Sequence, residues 1–515
     1  MKIAVVGSGC TGLGATWLLN EHSKHEVHLY ESDNRPGGHA NTFTFSAPGK
    51  EPVDVDGGFV VFNPDSYPNF LRFLRRYPHL KILTTNMAFA ISRDLGKFEW
   101  SGRNLSTVFC QRWRILDPKM WRLIYDVLRF NACARRLIMG WNRLSSPLQG
   151  HDTTIGEYLR REGYSEQFSN DFLLPISAAV WDTAPDKLFN EFPVRTLVQF
   201  MNNHNLLQVI GAPDWLTIGG GSKTYVDTIL SALSPNALRL SSPVQSVRTL
   251  ESRKVLLTTA GGRSEEYDHV IMACHADASL AILRAGGGVT REEESILGGF
   301  QWSKNVAAIH SDPKLMPKNP SAWSSWNYLA QSYVDDIGVH HAHYDAVSCT
   351  YWLNHIQHLS VEKHGQIFLT LNPPFEPDPK LVFREFVYDH PVLDANAISL
   401  QRRIRTVQNT RGISYAGAWL SYGFHEDGFT SGLRAVTDAI PDVHPPFEID
   451  DPDREPKEAL TAWMFDWLEE SGWRVYLGAV LASWLGWIAW VLGVSVGGGI
   501  GGVGDLKRET GKARA

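Results

Sequence analysis

Cysteine is scarce in this chain, and positive charge is not in excess. The 515 residues include five cysteines, an odd number without CxxC spacing. This pattern excludes a disulfide framework and a cysteine zinc site, so we expect reduced intracellular thiols and no metal. Lysine and arginine number 49 against 55 acidic residues, a net charge of −6. That balance argues against nucleic acid as a partner.

Several catalytic and targeting signatures are also missing. The sequence has neither a P-loop nor an HExxH pair, so P-loop chemistry and zinc proteolysis gain no support. The apolar run at residues 3–6 is too short for a signal peptide and is better explained as a strand. With 43% hydrophobic and 20% charged residues the chain is typical of folded proteins. Its length predicts two interwoven domains and an appendage.

A glycine-rich loop follows the first predicted strand, residues 2–6. In a dinucleotide-binding unit Gly7 makes the tight turn, Gly9 lets the backbone approach a pyrophosphate, and Gly12 allows close packing of helix and strand. The N-terminus of the following helix faces the negative charge. Glu31 ends the next strand, nineteen residues after Gly12. We expect Glu31 to accept hydrogen bonds from the adenosine ribose.

A second glycine pair decides between nucleotides. Arg35, Gly37, Gly38 and His39 form a stretch that resembles the ExxxRxGGR motif of the flavin-containing amine oxidase, protoporphyrinogen oxidase and phytoene desaturase superfamily. Gly58, in a DGGF segment, resembles that superfamily's next element beside the cofactor. The resemblance implies FAD as the cofactor, bound by these residues. His39 stands where the superfamily usually has arginine, which implies an altered phosphate or flavin contact.

Segments far along the chain resemble the rest of that FAD site. Val244 matches a strand whose backbone pairs with the adenine, and Gly417 and Gly423 match a turn at the isoalloxazine ring. Phe424 falls where monoamine oxidases place an aromatic beside the substrate path. His425 falls where a main-chain N–H approaches a flavin carbonyl. Phe424 and His425 are our catalytic candidates, although FAD itself carries the chemistry; the alternative for His425 is a packed side chain.

The middle of the chain resembles a narrower group. These are predicted NAD/FAD-binding amine oxidase-like proteins, similar to the flavin-binding N-terminal region fused to some cyclopropane fatty acid synthases. The likeness runs over residues 1–436 and rests on the blocks 178–181, 192–196, 202–207, 219–226, 351–354, 371–373 and 389–391. It implies a hydrophobic, fatty-acyl substrate. Within the group Trp181, His204 and Tyr351 are expected on the substrate side, with ordinary packing as the alternative.

The C-terminal region contains a long apolar segment. No charged residue occurs from Val475 to Gly504, and residues 475–496 are long enough to cross a bilayer core. Three tryptophans within the run favour an interface instead, so an interfacial helix is the alternative, followed by a buried core helix. The basic tail would place the flavin domain across the membrane by the positive-inside rule. Without an N-terminal signal we expect a single-pass anchor with the soluble domain in the cytosol.

These observations predict an α/β fold with a discontinuous FAD-binding Rossmann-like domain, an interleaved α+β substrate domain and a C-terminal transmembrane helix. The predicted segments are 1–75, 215–295 and 405–440 for FAD, 76–214 and 296–404 for substrate, 441–474 as linker, 475–496 as anchor and 497–515 as a Gly-rich, basic tail.

Three functions remain open from the sequence. The first is an FAD-dependent oxidoreductase that oxidises or desaturates a hydrophobic, fatty-acyl substrate. The second is a true amine oxidase. The third is a non-catalytic flavin-binding partner of a lipid-modifying enzyme.

Overall fold

The computed structural model describes residues 1–143, 153–181, 189–190, 192–208, 214–334, 340–451, 454–457 and 459–492. The α-helices span Cys10–His22, Pro68–Leu74, Leu105–Val108, Pro118–Cys133, Arg136–Arg143, Ile155–Arg161, Glu166–Phe168, Leu174–Trp181, Val194–Asn203, Lys223–Ser231, Ala276–Ala285, Arg291–Leu297, Leu353–Ile356, Val361–His364, Ala395–Arg403, His425–Ala439, Ala462–Glu470 and Trp473–Val491. The β-strands span Lys2–Val6, Glu26–Tyr30, Thr42–Phe45, Val53–Asp56, Ile82–Thr85, Phe89–Arg93, Phe98–Ser101, Trp215–Ile218, Leu238–Arg239, Val244–Thr249, Val255–Thr259, Ser264–Tyr267, His269–Met272, Trp302–His310, Trp326–Val334, His340–Trp352, Phe368–Leu371, Val382–Pro391 and Ile413–Tyr415.

A five-stranded parallel sheet, here called the nucleotide sheet, gathers strands from distant parts of the chain. Its order is Ile413–Tyr415, His269–Met272, Lys2–Val6, Glu26–Tyr30 and Leu238–Arg239. The central strand is buried from Ile3 to Val6. Continuous apolar runs of this kind suit a parallel sheet covered on both faces. The carboxyl ends of the central strands therefore meet at one edge, where α/β folds bind ligands.

Two helices lie side by side at that edge because glycines let their backbones approach. A Cβ on Gly432, in the helix His425–Ala439, would lie 2.1 Å from the carbonyl oxygen of Thr11 in the first helix. A Cβ on Gly14 would lie 3.0 Å from the carbonyl oxygen of Phe429. The two helices thus begin close together at the same end of the nucleotide sheet.

A seven-stranded mixed sheet, here called the large sheet, lies across a cavity from the carboxyl edge of the nucleotide sheet. Its order is Val382–Pro391, Trp302–His310, Phe368–Leu371, His340–Trp352, Trp326–Val334, Phe89–Arg93 and Phe98–Ser101. Helices between residues 105 and 203 pack beside it around an aromatic-rich core. The segments predicted for FAD supply every strand of the nucleotide sheet, and those predicted for substrate supply every strand of the large sheet. The domain boundaries themselves stay a prediction.

Two C-terminal helices lie against the helix Pro118–Cys133 and the turn before it. Ala462 and Phe465 form a small buried cluster with Ala132. Farther along, Leu485 and Ala489 pack against Leu116. The helix predicted as an anchor over residues 475–496 runs from Trp473 to Val491, and residues 493–496 fall outside the described part of the chain.

Candidate functional site

The glycine loop forms one wall of a cavity of about 520 Å³. Gly7 has φ +105°, and a Cβ there would lie 2.7 Å from the Ala273 carbonyl oxygen. A Cβ on Gly12 would lie 1.8 Å from the Gly7 carbonyl oxygen, so Gly12 serves the close packing behind the wall. Gly9 differs, because nothing lies within 4 Å of where its Cβ would be. A bound group can therefore approach the backbone at Gly9.

The first helix begins beside this open space without a side-chain cap. Gly9 is its N-cap residue and contributes no capping side chain. The N–H groups of the first turn therefore lack the partner that serine or aspartate would supply. Together with the helix dipole, they form a site suited to an anion such as a pyrophosphate.

Glu31 fastens the loop to the end of its strand. Its Oε2 accepts hydrogen bonds from the Ser8 N–H at 3.0 Å and the Ser8 hydroxyl at 2.6 Å. Its Oε1 accepts from the Asp33 N–H at 2.9 Å. Glu31 lies on the cavity wall next to the glycine loop. Ribose binding by Glu31 stays a prediction.

The second glycine pair folds over the first loop. Gly38 has φ +56°, and a Cβ there would lie 3.1 Å from Cα of Gly9, so only a glycine suits this approach. Gly37 has φ +108° and lies behind the wall. The Arg35 guanidinium donates to the Gly38 carbonyl at 3.0 Å. Arg35 thus braces the loop, and the structure places Gly38, not Arg35 or Gly37, on the cavity surface.

His39 lies on the wall with an imidazole nitrogen available. Its ring stacks on Tyr388 with centroids 4.3 Å apart, and the His390 ring lies 5.3 Å away. Nε2 is buried and has no hydrogen-bond partner within the described part of the chain. Burial, followed by the nearby His390 and His275, holds the pKa of His39 well below its ordinary value. The side chain is therefore neutral at physiological pH and can accept a proton only weakly.

The helix His425–Ala439 also points its N-terminus at the cavity. Gly423 has φ +91° and turns the chain into the helix. The His425 Nε2 and the Tyr225 hydroxyl lie 2.6 Å apart, and the His425 ring lies flat on Phe59 at 3.9 Å. Burial lowers the pKa of His425 to about 3. This geometry favours the packed interpretation of the side chain, and Gly417, Gly423 and His425 all line the cavity.

Aromatic side chains form the next part of the wall. Phe424 stacks on Phe200 at 5.1 Å and lies 5.0 Å from the His204 ring. The His204 Nδ1 and the Ser66 hydroxyl lie 3.1 Å apart, and burial lowers the pKa of His204 to about 3. Tyr351 packs edge-on against a tryptophan of the neighbouring strand and also lines the cavity. Phe424, His204 and Tyr351 thus meet in one cavity, and the Trp181 side chain lies outside the described residues.

One stretch of the cavity wall, supplied by the large sheet and its neighbouring loops, is apolar. Val60, Val61, Leu369, Leu371 and Met87 line the cavity and belong to one hydrophobic cluster. No titratable group is among these five. A hydrocarbon placed there would exclude water, with a gain of about 25 cal/mol per Å² of apolar surface.

Not every predicted site residue reaches the cavity. Val244 begins the strand Val244–Thr249 in a separate three-stranded sheet and is not on the wall. Conversely, His275 stacks on Trp302 at 3.9 Å, and both line the cavity without having been predicted. Asp389 and His390 do so as well. The block 389–391 was visible in the sequence as a shared motif, but nothing in its spacing indicated that it faces the glycine loop.

The sequence profile described as flavin containing amine oxidoreductase matches residues 10–307, more than half of the chain. The chain belongs to this family. The open backbone at Gly9, the two helix N-termini and Glu31 on the cavity wall fit FAD, which is its cofactor. The protein is accordingly an FAD-dependent oxidoreductase. No curated protein sequence matches it significantly.

Solved structures share this fold at low sequence identity. A CLA-producing fatty acid isomerase from P. acnes superposes with a TM-score of 0.58 at 14% identity, covering 85% of this chain and 98% of that one. Reduced UDP-galactopyranose mutase superposes with a TM-score of 0.57 at 18% identity, covering 89% of this chain and 100% of that one. Putrescine oxidase bound to putrescine superposes with a TM-score of 0.55 at 16% identity, covering 86% of this chain and 99% of that one. At these identities the likeness establishes the fold and leaves the substrate open.

Proposed function

We propose that this enzyme oxidises or desaturates a hydrophobic, fatty-acyl substrate at a membrane. The observation that carries the proposal is the apolar wall formed by Val60, Val61, Met87, Leu369 and Leu371, in the same cavity as the glycine loop. A hydrocarbon chain bound against that wall lies beside the flavin site. The fatty acid isomerase with the same fold supports this substrate class by analogy.

The protein's own contribution is to orient the chain and to keep water away from it. When a carbon–carbon bond is desaturated, a hydride and a proton leave adjacent carbons and a double bond forms between them. FAD, when bound, supplies the chemistry that accepts the hydride. We assign the proton to His39, because its Nε2 is buried on the cavity wall and lacks another partner within the described part of the chain. Because the pKa of His39 is low, the protonated imidazole is a strong acid and releases the proton to solvent.

Membrane association is proposed through the C-terminal helix. Trp473–Val491 has a mean hydropathy of 1.3 over its best window, with 11% of that window buried. Trp484, Trp487 and Trp490 are 62%, 58% and 78% exposed. Exposed tryptophans at this density are typical of membrane–water interfaces. We propose this helix as the anchor predicted at 475–496, with the soluble part of the enzyme on the cytosolic side.

The test uses detergent-solubilised full-length protein. Its visible absorption spectrum and the nucleotide released on denaturation identify FAD. The oxidised protein is then mixed anaerobically with oleate, methyl oleate or an amine, so that bleaching reports one turnover without an added electron acceptor. We expect an acyl compound to bleach the flavin. An FAD-loaded protein that amines bleach and acyl compounds do not would overturn the proposal.

Amine oxidation is the second candidate, and one observation favours it. Asp389 lines the flavin cavity, and its Oδ1 is buried without a partner within the described part of the chain. A buried carboxylate oxygen of this kind can pair with an ammonium group. The fold shared with putrescine oxidase is consistent with this candidate.

A further inference from the structure

A second cavity of about 410 Å³ adjoins the flavin cavity. We call it the vestibule. It lies between the helices Val194–Asn203 and Ala395–Arg403 and the turn at residues 420–422. Tyr422 belongs to the walls of both cavities. Its ring is 6.2 Å from Phe200, which stacks on Phe424 in the flavin cavity. The two spaces therefore meet at an aromatic boundary.

The charged side chains on the described part of the vestibule wall are both arginines. Arg195 and Arg402 line it, and no carboxylate is among the wall residues that the structure describes. Arg402 is exposed and makes no ion pair or hydrogen bond with the described part of the chain. The next residue, Arg403, is instead paired with Glu292 at 2.9 Å. Two guanidinium groups thus face one space in a chain whose net charge is negative.

The rest of the wall is mixed in character. Ile138, Leu393, Ile398 and Leu420 give it aliphatic surface. Thr196 and Gln199 add neutral polar groups. A ligand that fills the vestibule would therefore place an anionic group at the arginines and apolar atoms along the aliphatic residues. An amphiphilic anion has this composition.

We infer that the vestibule binds the anionic head group, carboxylate or phosphate, of an acyl substrate whose hydrocarbon chain passes Tyr422 into the flavin cavity. This rests on the proposed function and names the substrate's charged end. Guanidinium groups bind carboxylates and phosphates through paired, charge-assisted hydrogen bonds. The exposed guanidinium of Arg402 repels a protonated amine. The vestibule therefore selects an acyl acid over an amine.

The experiment measures dissociation constants by perturbation of the flavin spectrum, using the FAD-loaded full chain at fixed detergent concentration. The probes are oleate, methyl oleate and oleyl phosphate. Arg195→Gln and Arg402→Gln should each weaken binding of the anionic probes roughly tenfold or more, the range for a lost hydrogen bond to a charged group. Methyl oleate should bind the variants and the wild type equally. Arg403→Gln, one residue away and outside the vestibule, is the matched control.

The outcomes separate the possible results. If the arginine variants lose more affinity for oleate, the head group is a carboxylate. If they lose more affinity for oleyl phosphate, it is a phosphate. If the arginine variants lose affinity for all three probes, or for none of them, the head-group assignment is overturned. Flavin content serves as the folding check, and Arg402→Gln alters an exposed side chain. If oleate binding depends on the arginines but oleate does not bleach the flavin, the proposed oxidation is refuted and head-group binding in the vestibule is supported. If oleate bleaches the flavin equally in the wild type and in both arginine variants, the oxidation is supported and head-group binding in the vestibule is refuted.

Discussion

The Glu426 carboxylate accepts a hydrogen bond from the Asn69 backbone N–H at 2.9 Å, and its second oxygen accepts one from Phe70, also at 2.9 Å. Glu426 lies in the first turn of the helix that faces the flavin site. Asn69 and Phe70 lie in the first turn of the helix Pro68–Leu74. One buried carboxylate therefore caps one helix while it belongs to another, and it fixes the two N-termini relative to each other.

This contact predicts a pH-dependent stability. Burial raises the pKa of Glu426 to about 7, from 4.5 for an exposed glutamate. The folded protein then binds this proton more tightly than the unfolded chain, so the contribution to stability falls as pH rises from about 4.5 to about 7. We expect a Glu426→Gln variant to lack this part of the slope, on the order of 3 kcal/mol. Urea unfolding of the wild type and the variant at about pH 5 and about pH 7 measures how the free energy of unfolding changes with pH. An equal change in the two proteins would contradict the prediction.

Gly9→Ala separates cofactor binding from folding. Because the space beside Gly9 is open and its φ is −66°, alanine fits the apoprotein without strain. The new methyl group would occupy the position where a phosphate approaches, so the dissociation constant for FAD should rise about tenfold or more. The melting temperature of the apoprotein should not change. Gly261→Ala, on an open turn away from the cavity, is the control; an unchanged FAD affinity in Gly9→Ala would place the pyrophosphate elsewhere.

The glycine loop and its acid could be predicted because their spacing is local. Gly7, Gly9 and Glu31 lie within one strand–helix–strand unit, whose geometry fixes where each one points. His39 and Tyr388 are also in contact, but nearly 350 residues separate them. That contact depends on how the large sheet docks on the nucleotide sheet, and no periodicity in the sequence encodes such docking.

The same limit applies to the cofactor contacts expected of Arg35 and Val244. Both were expected at the cofactor from resemblance alone. Arg35 donates to the Gly38 carbonyl and Val244 begins a strand in another sheet, so neither lines the cavity, and their contacts with the cofactor stay predictions. A motif predicts that a loop will be present more reliably than it predicts which side chain reaches the ligand. The vestibule was not predicted, because its two arginines come from helices about two hundred residues apart.

Gly432→Ala should loosen the contact between the two helices that face the cofactor. The added Cβ would lie 2.1 Å from the Thr11 carbonyl oxygen, so one backbone must shift. Overpacking of this kind costs about 1–3 kcal/mol. We expect a lower melting temperature and reduced FAD occupancy. Gly478→Ala is the matched control, since it is also helical but has nothing within 4 Å of the new Cβ; equal effects of the two variants would contradict the prediction.

Asp389→Asn discriminates between the two candidate reactions. If an acyl chain is the substrate, the charge of Asp389 has no ammonium to pair with, and bleaching by oleate should change less than about threefold. If an amine is the substrate, loss of the carboxylate removes a buried ion pair worth several kcal/mol, and bleaching should slow by about a hundredfold or more. Anaerobic stopped-flow absorbance of the flavin measures both rates. The FAD content of the variant checks that the cavity is intact.

The C-terminal helix yields the last prediction. Trp487 is 58% exposed on the helix Trp473–Val491, and Val387 is 58% exposed on the large sheet. An aspartate within a membrane-embedded helix costs about 2.5–3.5 kcal/mol, so Trp487→Asp should weaken binding to phosphatidylcholine vesicles about a hundredfold. Val387→Asp introduces the same charge at equal exposure and should leave vesicle binding unchanged. Co-flotation with vesicles measures both. Because Leu485 and Ala489 pack on Leu116, equal loss in the two variants, or none in either, would show that this helix serves the protein's own surface and not a membrane.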